Sequence, residues 1–144
     1  MTHAPDFDLS DFLPYALNRA AEVTSRGFQS HYKNRYGMLR TEWRVLFHLG
    51  RYGAMTASAI CTRADLHKTK VSRAVSALER KRYLTRALNA QDRRQETLDL
   101  TQQGRAVFVD LRAEAQAYDA RLAAQFTLHE QQILRRCLSR IAQS

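Results

Sequence analysis

Cysteine is scarce in this chain. Cys61 and Cys137 lie far apart and form no CxxC pair. That argues against a disulfide framework or a zinc finger, and it makes a reducing cytoplasm the expected compartment. Long apolar runs are missing too: none approaches the ~18 residues of a membrane span. The start, MTHAPDFDLS, has no basic n-region, so no secretory signal is read there. No internal repeat, low-complexity tract or Pro/Gly/Ser linker divides the 144 residues. One domain, or one protomer of an oligomer, is expected. Catalytic signatures are absent as well. There is no Gly-rich phosphate loop, nucleophile elbow or obvious carboxylate pair, and the acids cluster at helix starts, where capping explains them. His31, His48, His67 and His129 are scattered without paired spacing, so no metal site is expected. The reading is of a non-enzyme without cofactor.

Acidic residues are the other shortage. Asp and Glu number 14 against 23 Lys and Arg, a net charge of +9. Such a balance favours a polyanion, either nucleic acid or an anionic membrane surface. The imbalance is concentrated. Residues 67–94 hold Lys68, Lys70, Arg73, Arg80, Lys81, Arg82, Arg86, Arg93 and Arg94 against only Glu79 and Asp92, a local balance of +7.

Periodicity supplies the elements. Leu13, Leu17, Ala20, Thr24, Phe28 and His31 recur at helical steps, which predicts one helix over 10–36 with Ser10 or Asp8 as cap and Gly37 as stop. At roughly 40 Å it outruns any core this small chain can offer, and a partner subunit is the natural cover. A second helix starts near Thr41 with Trp43, Leu46 and Phe47 on one stripe, and Gly50 and Gly53 end it. A third follows from Thr56, with Ala57, Ile60, Cys61 and Ala64 on one face, which makes Cys61 a buried, inert thiol. The fourth helix covers 68–82. Val71, Val75 and Leu78 form its inner face; Thr69, Ser72, Arg73, Ser76 and Arg80 form its outer one, with Glu79 on the flank.

A hairpin follows, Leu84 to Leu88 and Arg94 to Leu100, with a turn near Asn89–Asp92. Two strands alone are marginal in water, so the ribbon must pack on the helices. Thr101 caps a fifth helix whose Phe108, Leu111, Ala115, Tyr118 and Leu122 repeat like a helix–helix seam. Thr127 and Glu130 form a capping box for a last helix. Its apolar face carries Ile133, Leu134, Cys137, Leu138 and Ile141.

Helix, short helix, turn, basic helix and hairpin make a winged helix-turn-helix. An outer face of hydroxyls and arginines suits the major groove, where Arg pairs bidentately with guanine. The helix N-terminus favours a phosphate, and a hairpin tip can place Arg in the narrow minor groove. Two rivals remain. A winged-helix protein-interaction module would show an apolar or acidic recognition face. Membrane-surface binding would need free bulky apolar residues, and Val71, Val75 and Leu78 are better used as core.

The run from Leu66 to Arg80 resembles the recognition helix of the multiple-antibiotic-resistance regulator (MarR) family. The wing Asn89-Ala-Gln-Asp-Arg-Arg94, then Leu98-x-Leu-Thr-x-x-Gly104, is similar to that family's wing and following helix. The resemblance spans nearly the whole chain. It implies a mainly α fold with a small β-hairpin, a winged helix-turn-helix lobe over 38–101, and dimerisation helices over 1–37 and 102–144. It further implies a homodimeric regulator, most often a repressor, that binds a pseudo-palindromic operator in double-stranded DNA. Carried over residue by residue, Thr69, Lys70, Ser72 and Arg73 become base readers, and Thr56 and Lys68 phosphate contacts. Arg94 becomes the minor-groove arginine beside Arg93, and Asp92 the acid that braces the wing through an ion pair with an arginine. Arg82 departs from the family, which usually has Gly there.

Many members of the family release DNA when a phenolic or aromatic acid binds between the dimer helices and the DNA-binding lobe. Tyr15, Asn18, Arg19, Trp43, Phe47, Phe108 and Arg112 are the candidates for such a pocket here. For each, core or plain surface is the stronger reading on its own residues. Peroxide sensing in the family uses a cysteine at the first helix, which this chain lacks.

Overall fold

The computed structural model describes residues 6–88, 91, 92 and 94–143. A short 3-10 turn, Leu9–Asp11, precedes α1 (Leu13–Tyr36). The helix starts three residues later than expected. The Ser10 hydroxyl donates to the Asp8 carboxylate at 2.7 Å, so neither residue caps α1. Pro14 sits in the first turn, where its missing N–H costs little. Gly37, in the left-handed region at φ +66, closes the helix as expected.

Helix α2 (Arg40–Tyr52) runs straight through Gly50 and ends at Gly53. Gly50 is therefore not a stop but a place of close approach. A Cβ there would come within 2.3 Å of the Phe108 ring. Glu42 is buried and fully used: its carboxylate accepts the Leu39 N–H and the Lys81 ammonium, both at 3.1 Å. A buried acid needs such partners, and this one ties α2 to the end of the basic helix.

Strand β1 (Met55–Thr56) leads into α3 (Ala57–Ala64), capped by the Thr56 hydroxyl, which accepts the Ala59 N–H at 3.1 Å. Then come α4 (Lys68–Arg80), β2 (Leu84–Leu88) and β3 (Glu96–Leu100). The hairpin gains a third strand that periodicity did not reveal. The order is β1-β3-β2, all antiparallel, with Met55 opposite Leu98 and Leu84 opposite Leu100. Between α4 and β2, Arg82 takes φ +64, a left-handed backbone that glycine would adopt at less cost. Its N–H donates to the Glu79 carbonyl at 3.0 Å, and its carbonyl accepts the Thr101 hydroxyl at 2.6 Å.

Helix α5 (Gln102–Ala123) is capped by Thr101, and α6 (Leu128–Ala142) by the expected Thr127–Glu130 box. Met38, Val45, Leu46, Leu49, Ile60, Val71, Val75, Leu78, Leu84, Leu98, Phe108 and Leu111 form one core under the lobe. Four of the five residues of the expected α5 seam pack within the chain. Phe108 and Leu111 are buried in that core, Ala115 and Tyr118 pack against it, and the Tyr118 hydroxyl donates to the Thr24 carbonyl at 2.8 Å. On the outer edge of the same α1–α5 contact, Tyr36 and Arg35 both donate to Asp110. Those hydrogen bonds hold the Asp110 carboxyl below its usual range. Cys61 is half-buried rather than enclosed, and Cys137 is exposed.

Candidate nucleic-acid interface

The core fixes how α4 is rotated. Val71, Ala74, Val75 and Leu78 are buried, so the opposite stripe must face solvent. Lys68, Thr69, Lys70, Ser72 and Arg73 are all exposed there, and Ser76 is half-buried. None of those five exposed side chains bonds or ion-pairs with another described residue. The helix begins at His67, whose ring Nδ1 accepts the Thr69 N–H at 3.2 Å. The remaining amide hydrogens of the first turn and the Lys68 ammonium give this end a positive field.

The wing stands beside it. A cleft of about 670 Å³ opens between α3, α4 and the strands, and Thr56, Ser58, Lys68, Ser72, Arg86 and Arg94 are among its lining residues. The structure thus gathers Thr56, Lys68, Ser72 and Arg94 around one concavity. Thr69, Lys70 and Arg73 lie on the exposed face of the same helix. Arg93 lies outside the described residues. Asp92 does brace the wing, but through the backbone: its carboxylate accepts the Arg94 N–H at 3.0 Å, and its carbonyl accepts the Gln95 N–H. Among the described residues it forms no ion pair with an arginine. An ionic brace among the described residues is made by Arg86, which bonds Glu79 and Glu96 at 3.0 Å each. In the sequence Arg86 and Glu79 stood only as charges of one basic stretch, and Glu96 lay outside it. The usable signal was an arginine on the inward side of a strand, with one acid upstream and one downstream.

The seven effector candidates fall into separate groups. Trp43, Phe47 and Phe108 form an aromatic chain with ring centres 5.2 and 5.4 Å apart, continued by Phe28, 5.5 Å from Trp43. Tyr15 and Arg19 line a shallow cavity along α1 with Ser10, Ala16, Ala20 and Val23, and none of the other five candidates lines it. Asn18 and Arg112 are exposed. Among the described residues no group of three His, Cys, Asp or Glu could hold a metal ion, and no helix is long and apolar enough to cross a membrane.

The stretch that builds this interface, residues 36–95, matches the sequence pattern of the MarR family. The winged-helix lobe is a MarR-family lobe. Likeness extends over the rest of the chain. A MarR-family transcriptional regulator from Silicibacter pomeroyi is 26% identical, superposes with a TM-score of 0.79, and is matched over 94% of this chain and 99% of its own. BpsR of Bordetella bronchiseptica, whose DNA binding is regulated by 6-hydroxynicotinic acid, shares the fold with a TM-score of 0.88 at 18% identity, covering 96% and 99%. YwaE of Bacillus subtilis, an uncharacterized HTH-type transcriptional regulator, is 24% identical over 126 residues, 88% of this chain and 74% of its own. MarR proteins are transcriptional regulators, not enzymes. Within this lobe Arg82 sits at a left-handed position, where glycine would carry less backbone cost.

Proposed function

We propose that this MarR-family chain is a homodimeric repressor that reads a pseudo-palindromic operator and lets go when a small aromatic acid binds. The observation that carries the reading is the exposed, unpaired face of α4 beside Arg94. In this reading Thr69, Lys70, Ser72 and Arg73 touch base edges. Thr56 and Lys68 hold phosphates; the Thr56 oxygen already serves as a cap, but its proton is free to be donated. Arg94, with Arg93 beside it, enters the minor groove. The lobe over 38–101 binds DNA, and the segments 1–37 and 102–144 pair two copies. Exposed Leu134, Leu138 and Ile141 on α6 are the surface a second copy would cover. Two α4 helices would then meet adjacent major grooves about 34 Å apart.

The effector part rests on two supports: the aromatic chain from Phe28 to Phe108, and the aromatic acid that regulates DNA binding in BpsR. Tyr15, Asn18 and the cations Arg19 and Arg112, which would meet a carboxylate, would join it only once two subunits meet. The acid would act by favouring a spacing of the two α4 helices that no longer fits the grooves.

The test is selection from a random pool of duplexes, followed by titration at several salt concentrations. One enriched sequence, bound with strong salt dependence, supports the reading. Arg73→Ala should then lose about 1–3 kcal/mol of discrimination at its base pair. Arg94→Ala should weaken binding with less loss of discrimination. Equal weak binding to every duplex would favour the protein-interaction alternative. Candidate aromatic acids added to the preformed complex test release.

A further inference from the structure

Register puts Arg86 in an unusual place. On the hairpin, Leu84 stands opposite Leu100, Arg86 opposite Leu98, and Leu88 opposite Glu96. Residues opposed across an antiparallel pair share a face. Leu84, Leu98 and Leu100 are buried, so this is the inward face, turned toward the helices. Arg86 and Glu96 occupy it where the core gives out, and one step further Leu88 is largely exposed. Among the described residues of the hairpin, no buried apolar side chain lies beyond Leu98 to hold its outer end at a fixed angle. The Arg86 guanidinium replaces that packing: its Nε donates to Glu79 on α4, and its Nη1 donates to Glu96 on β3. A planar fork that bonds through two of its edges at once is a directional tie. Arg94 lies two residues before Glu96, so the anchored strand end also sets where Arg94 lies relative to Ser72 and Arg73.

We propose that Arg86 is a positioning residue for DNA recognition: with Glu79 and Glu96 it locks the wing to the recognition helix so that both grooves are engaged together. The inference rests on the DNA-binding reading above. Ion pairs this exposed contribute little to stability, so the tie acts on geometry. It also commits to the wing an arginine that lines the cleft and would otherwise be a further phosphate contact.

The test turns on a sign. Glu79→Gln with Glu96→Gln removes two negative charges from the side that faces DNA. Simple electrostatics predicts tighter binding. The brace predicts about tenfold weaker binding to the duplex that wild-type protein enriches from a random pool, with little change in thermal midpoint. In that background Arg94→Ala should cost clearly less than it does in wild type, because the arginine is already misplaced. Arg86→Lys, a single-headed cation that cannot bond both acids in the same way, should reproduce the loss. Unchanged or tighter binding by the double variant would overturn the proposal, and so would an Arg94→Ala penalty that simply adds. Those results leave DNA binding itself intact. If wild-type protein enriches no duplex, the DNA-binding reading fails and this inference fails with it.

Discussion

Leu46 on α2 and Leu134 on α6 each belong to the apolar stripe of an amphipathic helix. Leu46 is fully buried, whereas Leu134 is 45% exposed. The same contrast holds for the two regions as wholes. The lobe is covered within its own chain: α2, α3, α4 and the strands share one core with Phe28 of α1 and Phe108 and Leu111 of α5, and Glu42 and Thr56 satisfy helix starts inside it. Helix α6 buries no residue. It is tied to the end of α5 by polar contacts, Arg135 to Asp119 and Gln131 to the Ala123 carbonyl. A stripe of Ile133, Leu134, Leu138 and Ile141 left open to water is unfavourable in an isolated chain. Under the proposed function it is complete only as half of a dimer. The core around the lobe is thus complete within one chain, whereas α6, under the proposed function, is covered only in the assembly.

The sharpest way to break that contrast is to charge the open stripe. Leu134→Asp with Leu138→Asp should leave the lobe folded but yield a monomer in sedimentation, because carboxylates would have to be buried unpaired at the interface. Operator affinity should fall by about two orders of magnitude, since two half-sites no longer act as one. Normal dimerisation by this variant would assign the stripe another role. Next in size is Leu49→Ala in the lobe, where the side chain is wholly buried. A loss of about 2–5 kcal/mol in urea unfolding is expected, independent of protein concentration if the core is complete within one chain. A loss that grows on dilution would show that the lobe also depends on the partner. Smallest is Arg82→Gly. Relief of the left-handed backbone should raise stability by about 0.5–1 kcal/mol in the same assay. Destabilisation would mean that the Arg82 side chain does more than occupy the turn.

What could be read from the sequence followed the range of each interaction. The Thr56, Thr101 and Thr127 caps, the Gly37 stop and the two faces of α4 were legible because each signal lies within a few residues of its effect. The helical stripe of α5 was legible as a stripe, but not its partner: Phe108 and Leu111 face their own core, because periodicity gives a direction and not a destination. β1 escaped because two residues carry no period, and its pairing with Leu98 and Thr97 spans more than forty positions. Gly50 looked like punctuation until the Phe108 ring was placed against it. Asp92 holds the Arg94 backbone N–H, a contact that residue types alone do not encode. The Arg86 tie needed the strand register before its two acids could be seen to converge.

The central claim is that two copies of this chain present two recognition helices to one stretch of DNA. It is tested most directly by the mass of the complex on the duplex enriched by selection, measured by light scattering at concentrations well above the dissociation constant. The account predicts two chains per duplex, on a site whose half-sites lie about one helical turn apart. One chain per duplex, on a site without twofold symmetry, would contradict it.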